Sequence, residues 1–165
     1  MITKQVDVVA SENGLCINGT LIDKEQPLER YREVLGIPNR IIDAGPPPPV
    51  GHRSNRVHVF DSLGVYLTEH HASRLIESVN FVFDPSDSAF PIERAFGGDL
   101  KVDGQHLRAN LPESHIDRSR FAHDLPGEYS VKHKNCWIGI SAKGRRGADG
   151  KRREPRYVVR VSVCF

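Results

Sequence analysis

Leu15-Cys16-Ile17-Asn18-Gly19-Thr20-Leu21-Ile22 is answered later in the chain by Leu100-Lys101-Val102-Asp103-Gly104-Gln105-His106-Leu107. In each copy, apolar residues alternate around Asn-Gly or Asp-Gly, the dipeptides that fit a two-residue hairpin turn with positive φ at both positions. Leu15, Ile17 and Ile22 are expected on the core side. One spacing relates Leu15 to Leu100, Ile17 to Val102, Gly19 to Gly104, Ile22 to Leu107 and also Pro27 to Pro112. Internal duplication is one reading of that spacing and chance similarity is the other.

Outward from the first hairpin, Val6 to Ala10 reads as a strand. Pro27 opens a helix in which Leu28, Tyr31, Val34 and Leu35 recur at helical spacing until Gly36 and Pro38. Arg40 to Ala44 reads as a strand, and the prolines at 46 to 49 end it in an exposed, stiff loop from Gly45 to Asn55. Arg56–Phe60 and Val65–Thr68 flank the turn Asp61-Ser62-Leu63-Gly64, and Ser78–Phe83 alternates again. Beyond the second hairpin, Pro112 to Ala122 is too polar for more than a short or frayed helix. Tyr129–Val131, Cys136–Ser141 and Tyr157–Phe165 are strand-like, and a basic loop, Lys143 to Arg156, joins the last two.

These elements predict an α+β fold: a mostly antiparallel sheet with one or two short helices on one face. The 165 residues form a single domain, with a first half of about 1–90 and a second half of about 96–165.

A net charge of +2 is too small to demand a nucleic-acid or membrane partner. The first residues lack the apolar stretch of an export signal, and no run approaches a membrane span. Three separated cysteines, two of them in apolar runs, read as reduced thiols, so the expected compartment is the cytoplasm.

Catalytic chemistry finds little support. His70 and His71 are adjacent and would point to opposite faces of a strand, and His115 and His123 lack the three- or four-residue spacing of helical metal ligands. Cys136 has Lys132, His133 and Lys134 nearby but sits in an apolar run, which favours an inert thiol. Gly144 to Lys151 lacks the spacing of a phosphate loop. Asp61 and Asp84 sit where strands end and are read as turn caps; spacing does not pair them with Glu69 or Asp87 across a cleft. The chain is therefore expected to be a non-enzymatic binding protein without metal or cofactor.

Leu28 to Pro38, with its Leu-Gly-Ile-Pro end, followed by Val57-His58-Val59-Phe60-Asp61-Ser62-Leu63-Gly64-Val65, resembles a family of uncharacterised bacterial proteins. The similarity covers mainly residues 13 to 107 and includes Phe96-Gly97-Gly98-Asp99-Leu100 and Val102-Asp103-Gly104. In this chain Phe60 stands where Trp is more usual. Members of that family are often encoded beside secreted antibacterial toxins, including type VI secretion effectors. The resemblance implies a cytoplasmic immunity protein that binds and blocks a cognate toxin. The order of helix and meander is also similar to the repeating unit of β-lactamase inhibitor proteins, an analogy of fold alone.

On this reading the contacts come from His52, Arg53 and Asn55 in the proline-rich loop, from His58, Tyr66, Glu69 and His70 on exposed hairpin positions, and from Arg145, Arg146, Arg152 and Arg153 at the basic tip. The alternative partner is nucleic acid, held by the 143–156 loop.

Overall fold

The computed structural model describes residues 5–43, 56–88, 90 and 92–165. The expected proline-rich loop, with His52, Arg53 and Asn55, lies outside them. In chain order the first half contains β1 (Asp7–Ser11), β2 (Gly14–Ile17), β3 (Thr20–Ile22), β4 (Gln26–Pro27), helix α1 (Leu28–Leu35), β5 (Arg40–Asp43), β6 (Arg56–Phe60), β7 (Val65–Glu69) and β8 (Leu75–Val82). The second half contains β9 (Asp99–Val102), β10 (Gln105–Leu107), β11 (Ala122–Leu125), β12 (Glu128–Lys132), β13 (Trp137–Arg146) and β14 (Arg152–Cys164), with 3-10 turns at Pro85–Asp87 and Glu113–His115.

The protein is thus nearly all sheet, and the expected α+β class is corrected. Among the described residues only Leu28–Leu35 forms an α-helix, its apolar spacing burying Leu28 and Tyr31 against the core. In the corresponding stretch of the second half, the Asp117 carboxylate accepts from the Ser119 N–H and hydroxyl, and a single 3-10 turn is all that forms.

The two repeated hairpins flank one strand. The small sheet has the order β10-β9-β1-β2-β3, with β2 antiparallel and β9 parallel to β1. Both turns carry the paired left-handed conformation that the sequence demands, with φ of 49° and 81° at Asn18 and Gly19, and 47° and 82° at Asp103 and Gly104. Val9 lies opposite Cys16 on one side and Lys101 on the other, while Val8 faces Ile17 and Leu100, and Ala10 faces Leu15 and Val102. The turn amides close the pattern: Asn18 N–H donates to Asp7 O at 2.8 Å, and Asp103 N–H to Ala10 O at 2.9 Å. The hairpins are related by a two-fold rotation about Val9.

The large sheet repeats that relation. Its order is β11-β12-β13-β14-β8-β7-β6-β5, with β4 also paired to β8, so each half supplies an antiparallel four-strand meander and the meanders meet at β8 and β14. Asn80 faces Ser162 in the middle of that junction. Register shifts fall at the same place on both sides, between Thr68 and Glu69 in β7 and between Ser141 and Ala142 in β13. Pro27 bridges Leu75 of β8, and Pro112 bridges Tyr157 of β14.

One face of the large sheet packs against the small sheet and α1. Val8, Leu15, Ile17, Leu100 and Val102 from one layer share a core with Leu67, Val79, Phe81, Ile138, Ile140 and Val161 from the other. On the opposite face, Val57, Val59, Tyr66 and Val82 are covered by Ile92 and Phe90, whose ring meets Tyr66 edge-on at 5.3 Å. Strands β6 and β7 are therefore buried on both sides.

Candidate functional site

That double burial corrects three expected contact residues. His58, Tyr66 and Glu69 are 2%, 4% and 4% exposed, so none stands on a free surface. The fourth, His70, is part of the β7–β8 turn, where its ring accepts from the Ser73 N–H at 3.2 Å.

His58 and Glu69 instead form a buried polar cluster. They project from neighbouring strands toward the layer that carries α1, with His58 Nε2 2.7 Å from Glu69 Oε2. Arg74 Nε lies 2.9 Å from Glu69 Oε1 as an ionic contact without good hydrogen-bond alignment. His58 Nδ1 is buried and has no hydrogen-bond partner among the described residues. A cleft of 370 Å³ opens here between the start of α1 and the sheet, lined by His58, Glu69, Arg74, Leu28, Arg32, Arg56 and others.

The second half holds a related trio of ring, acid and arginine in a different arrangement. Following the ladders outward from Asn80 and Ser162, Leu67 corresponds to Ile140, and their partners His58 and Tyr129 correspond in turn. Arg74 and Arg156 each precede the residue that bridges the proline. Tyr129 Oη donates to Glu113 Oε1 at 2.5 Å, and Arg156 Nη1 lies 3.3 Å from Glu113 Oε2. The ring and the arginine thus hold equivalent places, whereas the acid has moved. Glu69 corresponds to Ala142, and Glu113, next after Pro112, corresponds to Leu28, next after Pro27. Burial pushes the Glu113 carboxyl upward, but the Tyr129 hydroxyl and the Arg156 and Arg118 charges together outweigh it and hold the carboxyl below its ordinary range.

A second candidate surface is the far side of β12, β13, β14 and β8. Ser162 Oγ donates to Asn80 Oδ1 at 2.7 Å, Asn80 Nδ2 donates to Ser78 Oγ at 3.0 Å, and the Ser78 and Thr68 hydroxyls meet at 2.6 Å. Beside this chain Trp137 is 41% exposed, its indole lying against Gly139, where a Cβ would stand 2.5 Å from the ring. Sequence reading missed Trp137 as a surface residue because Cys136-Trp137-Ile138 looks like a uniformly buried run.

The basic segment is not the solvated loop expected. Strands β13 and β14 stay paired out to Arg146 and Arg152, leaving only 147–151 as the tip. Asp87, whose side chain is 7% exposed, takes both Lys143 Nζ at 2.9 Å and the Arg152 guanidinium. Arg153 pairs with Asp149 at 3.2 Å, and Arg156 also reaches Glu154 at 2.7 Å. Arg145 lies over the Tyr157 ring at 4.9 Å and donates to Asn110 Oδ1; Arg146 donates to Gly150 O.

Cys136 is buried, and its thiol donates to Ser11 O. Burial, with the nearby Asp103, pushes the thiol up, so it is held protonated. His133, considered as its base, directs Nε2 to Asp103 Oδ2 at 2.9 Å. Among the described residues no group of three His, Cys, Asp or Glu is placed to hold a metal ion, and no helix is long and apolar enough to cross a membrane.

A family model described as a domain of unknown function, DUF7738, matches residues 7–117, about two thirds of the chain. The chain belongs to that family. No curated protein and no solved structure matches it. The DUF7738 region takes in the small sheet, α1, β5 to β8 and all of the His58 cluster, but of the second cluster only Glu113. Trp137 and the β13–β14 hairpin lie outside it.

Proposed function

We propose that this chain is an immunity protein: it binds a secreted antibacterial toxin, of the type VI effector kind, in the cytoplasm and blocks it by covering its working surface, with no chemistry of its own. Trp137 carries the reading. It is a large ring on an open sheet face, seated on Gly139 and beside hydroxyl and amide groups already bonded to one another. Such a surface gives up little side-chain freedom on docking, and tryptophan is among the residues that most often anchor an interface. The resemblance of residues 28–38 and 57–65 to toxin-associated proteins supports the same class.

A nucleic-acid reading rests on the β13–β14 cations. Lys143, Arg152, Arg153 and Arg156 are engaged by Asp87, Asp149, Glu113 and Glu154, so a phosphate would compete with internal carboxylates. Arg145 and Arg146 remain for it.

Co-expression with a secreted toxin encoded by a neighbouring gene tests the proposal. The wild-type chain is expected to restore growth and to co-purify with the toxin, and Trp137→Ala to stay folded while losing both. Neither protection nor co-purification by the wild type would end the immunity reading. Salt-steep retention on duplex DNA, lost on replacing Arg145 and Arg146, would put nucleic acid in its place.

A further inference from the structure

The β13–β14 hairpin presents two exposed arginines that meet no carboxylate among the described residues. Arg145 lies over the Tyr157 ring at 4.9 Å and donates to Asn110 Oδ1 at 3.2 Å, and Arg146 donates to Gly150 O at 3.4 Å. A register shift after Gly144 sets Arg145 opposite Arg153. A Cβ on Gly144 would stand 2.0 Å from Arg153 O, so the strands come this close there only because residue 144 is glycine. Beside this bend is a pocket of 350 Å³, bounded by the hairpin, the start of the 3-10 turn after β8 and the segment of Asn110. Lys143, Arg145, Arg146, Asn110, Tyr157 and Asp84 line it.

We propose that this pocket binds a phosphomonoester group. Lys143, Arg145 and Arg146 against Asp84 leave an excess of two positive charges in the lining. Counting Asp87, which Lys143 touches, also brings in Arg152, the other cation on Asp87, and the excess is still two. Arginine and lysine are charged at neutral pH, so the balance needs no assumed protonation. A phosphomonoester matches it, with close to two negative charges at pH 7 and three terminal acceptor oxygens on one phosphorus. A backbone phosphodiester or a single carboxylate brings only one charge. Asp84 is turned away from the task, since its Oδ1 accepts from the Ser86 N–H at 3.0 Å and hydroxyl at 2.6 Å. Arg145 is held before any ligand arrives, by the Tyr157 ring and by one bond to Asn110, and the rest of its five N–H donors are available. The proposal does not depend on the immunity reading, since Trp137 is not part of this lining.

The test is titration of the full chain with methyl phosphate, dimethyl phosphate and succinate, following the backbone amides of Lys143 to Arg146 by NMR. Methyl phosphate is expected to give a saturable shift and to bind about fivefold or more tightly than the other two. Its affinity should rise as the pH passes about 6, where the phosphate takes its second charge. Arg145→Gln and Arg146→Gln should each weaken binding by about threefold. Asn110→Asp keeps the shape of an exposed residue and sets a carboxylate against Arg145, so it should weaken binding at least as much; Arg30→Gln, which removes a charge on α1, should change nothing. Tighter binding of AMP than of N-acetyl-phosphoserine amide identifies a nucleotide as the source, and the reverse a phosphorylated side chain of a partner. No saturable shift at tens of millimolar, an equal response to chloride, dimethyl phosphate or succinate, or a shift unchanged in both arginine variants would overturn the proposal.

Discussion

Ser162 Oγ donates to Asn80 Oδ1 at 2.7 Å across the β8–β14 junction, at the point about which the two meanders are related. The bond joins the halves on the face opposite the main core, where the cross-strand row runs Tyr66, Asn80, Ser162 and Gly139. Asn80→Ala is expected to leave the Ser162 hydroxyl partnerless and to lower stability by about 1–3 kcal/mol in urea unfolding. The double variant with Ser162→Ala should lose less than the sum of the two single changes.

Tyr129→Phe removes the hydroxyl that faces Glu113 while keeping the ring in place. Glu113 is then left with Arg156, and a loss of about 1–3 kcal/mol follows, measured by thermal or urea unfolding. Because the fold holds the Glu113 carboxyl below its ordinary range, that stabilisation is present above the unfolded value of about 4.3 and is lost as the pH falls through the folded value. The variant should accordingly lose less stability than the wild type on acidification below about pH 4.

Asp61 is held below its ordinary range by the bidentate Arg40 guanidinium, with bonds of 2.7 and 2.6 Å, against the opposing effect of burial. It also accepts from the Glu93 N–H at 3.3 Å. A depressed carboxyl contributes stability at neutral pH and loses it on acidification, so Asp61→Asn should be less stable than wild type at pH 7, with the difference shrinking below about pH 4. A constant difference across that range would show that Asp61 acts through shape alone.

Gly64 and Gly98 admit no side chain. A Cβ on Gly64 would stand 2.1 Å from Phe96 N, and one on Gly98 would stand 2.2 Å from Val6 O, in both cases against backbone. Gly64 also has φ of 69°. Alanine at either position should cost about 3 kcal/mol or more, visible as loss of soluble protein or of the cooperative transition, whereas Gly97→Ala, which meets nothing, should be tolerated.

Within the basic hairpin the arginines should separate into two kinds. Arg152→Ala leaves the buried Asp87 with Lys143 alone, and about 1–3 kcal/mol is expected to go with it. Arg146→Ala removes only a contact to Gly150 O at the exposed tip and should stay within about 0.5 kcal/mol of wild type.

The hairpins were legible in the sequence because Asn18-Gly19 and Asp103-Gly104 impose a local geometry on any chain that contains them, and Pro27 and Pro112 mark equivalent places through their fixed φ. The paired clusters were not. The spacing that relates Leu15 to Leu100 differs from the one relating His58 to Tyr129, because the connections between the strands differ in length. The ring has changed type as well, and the acid has moved from strand to turn. No comparison at one fixed spacing brings His58, Glu69 and Arg74 beside Tyr129, Glu113 and Arg156. The burial of His58, Tyr66 and Glu69 was hidden for another reason: an alternating strand shows which residues share a face, but not that Phe90 and Ile92 return to cover the second face.

Strand β14 lies in the middle of the large sheet rather than at its border. Until it docks, β8 keeps the edge from Ser78 to Val82 open, and the two meanders have nothing to join them across that gap. The large sheet is thus completed by its central strand, and before that step the open edge of β8 is the part most prone to pair with another chain.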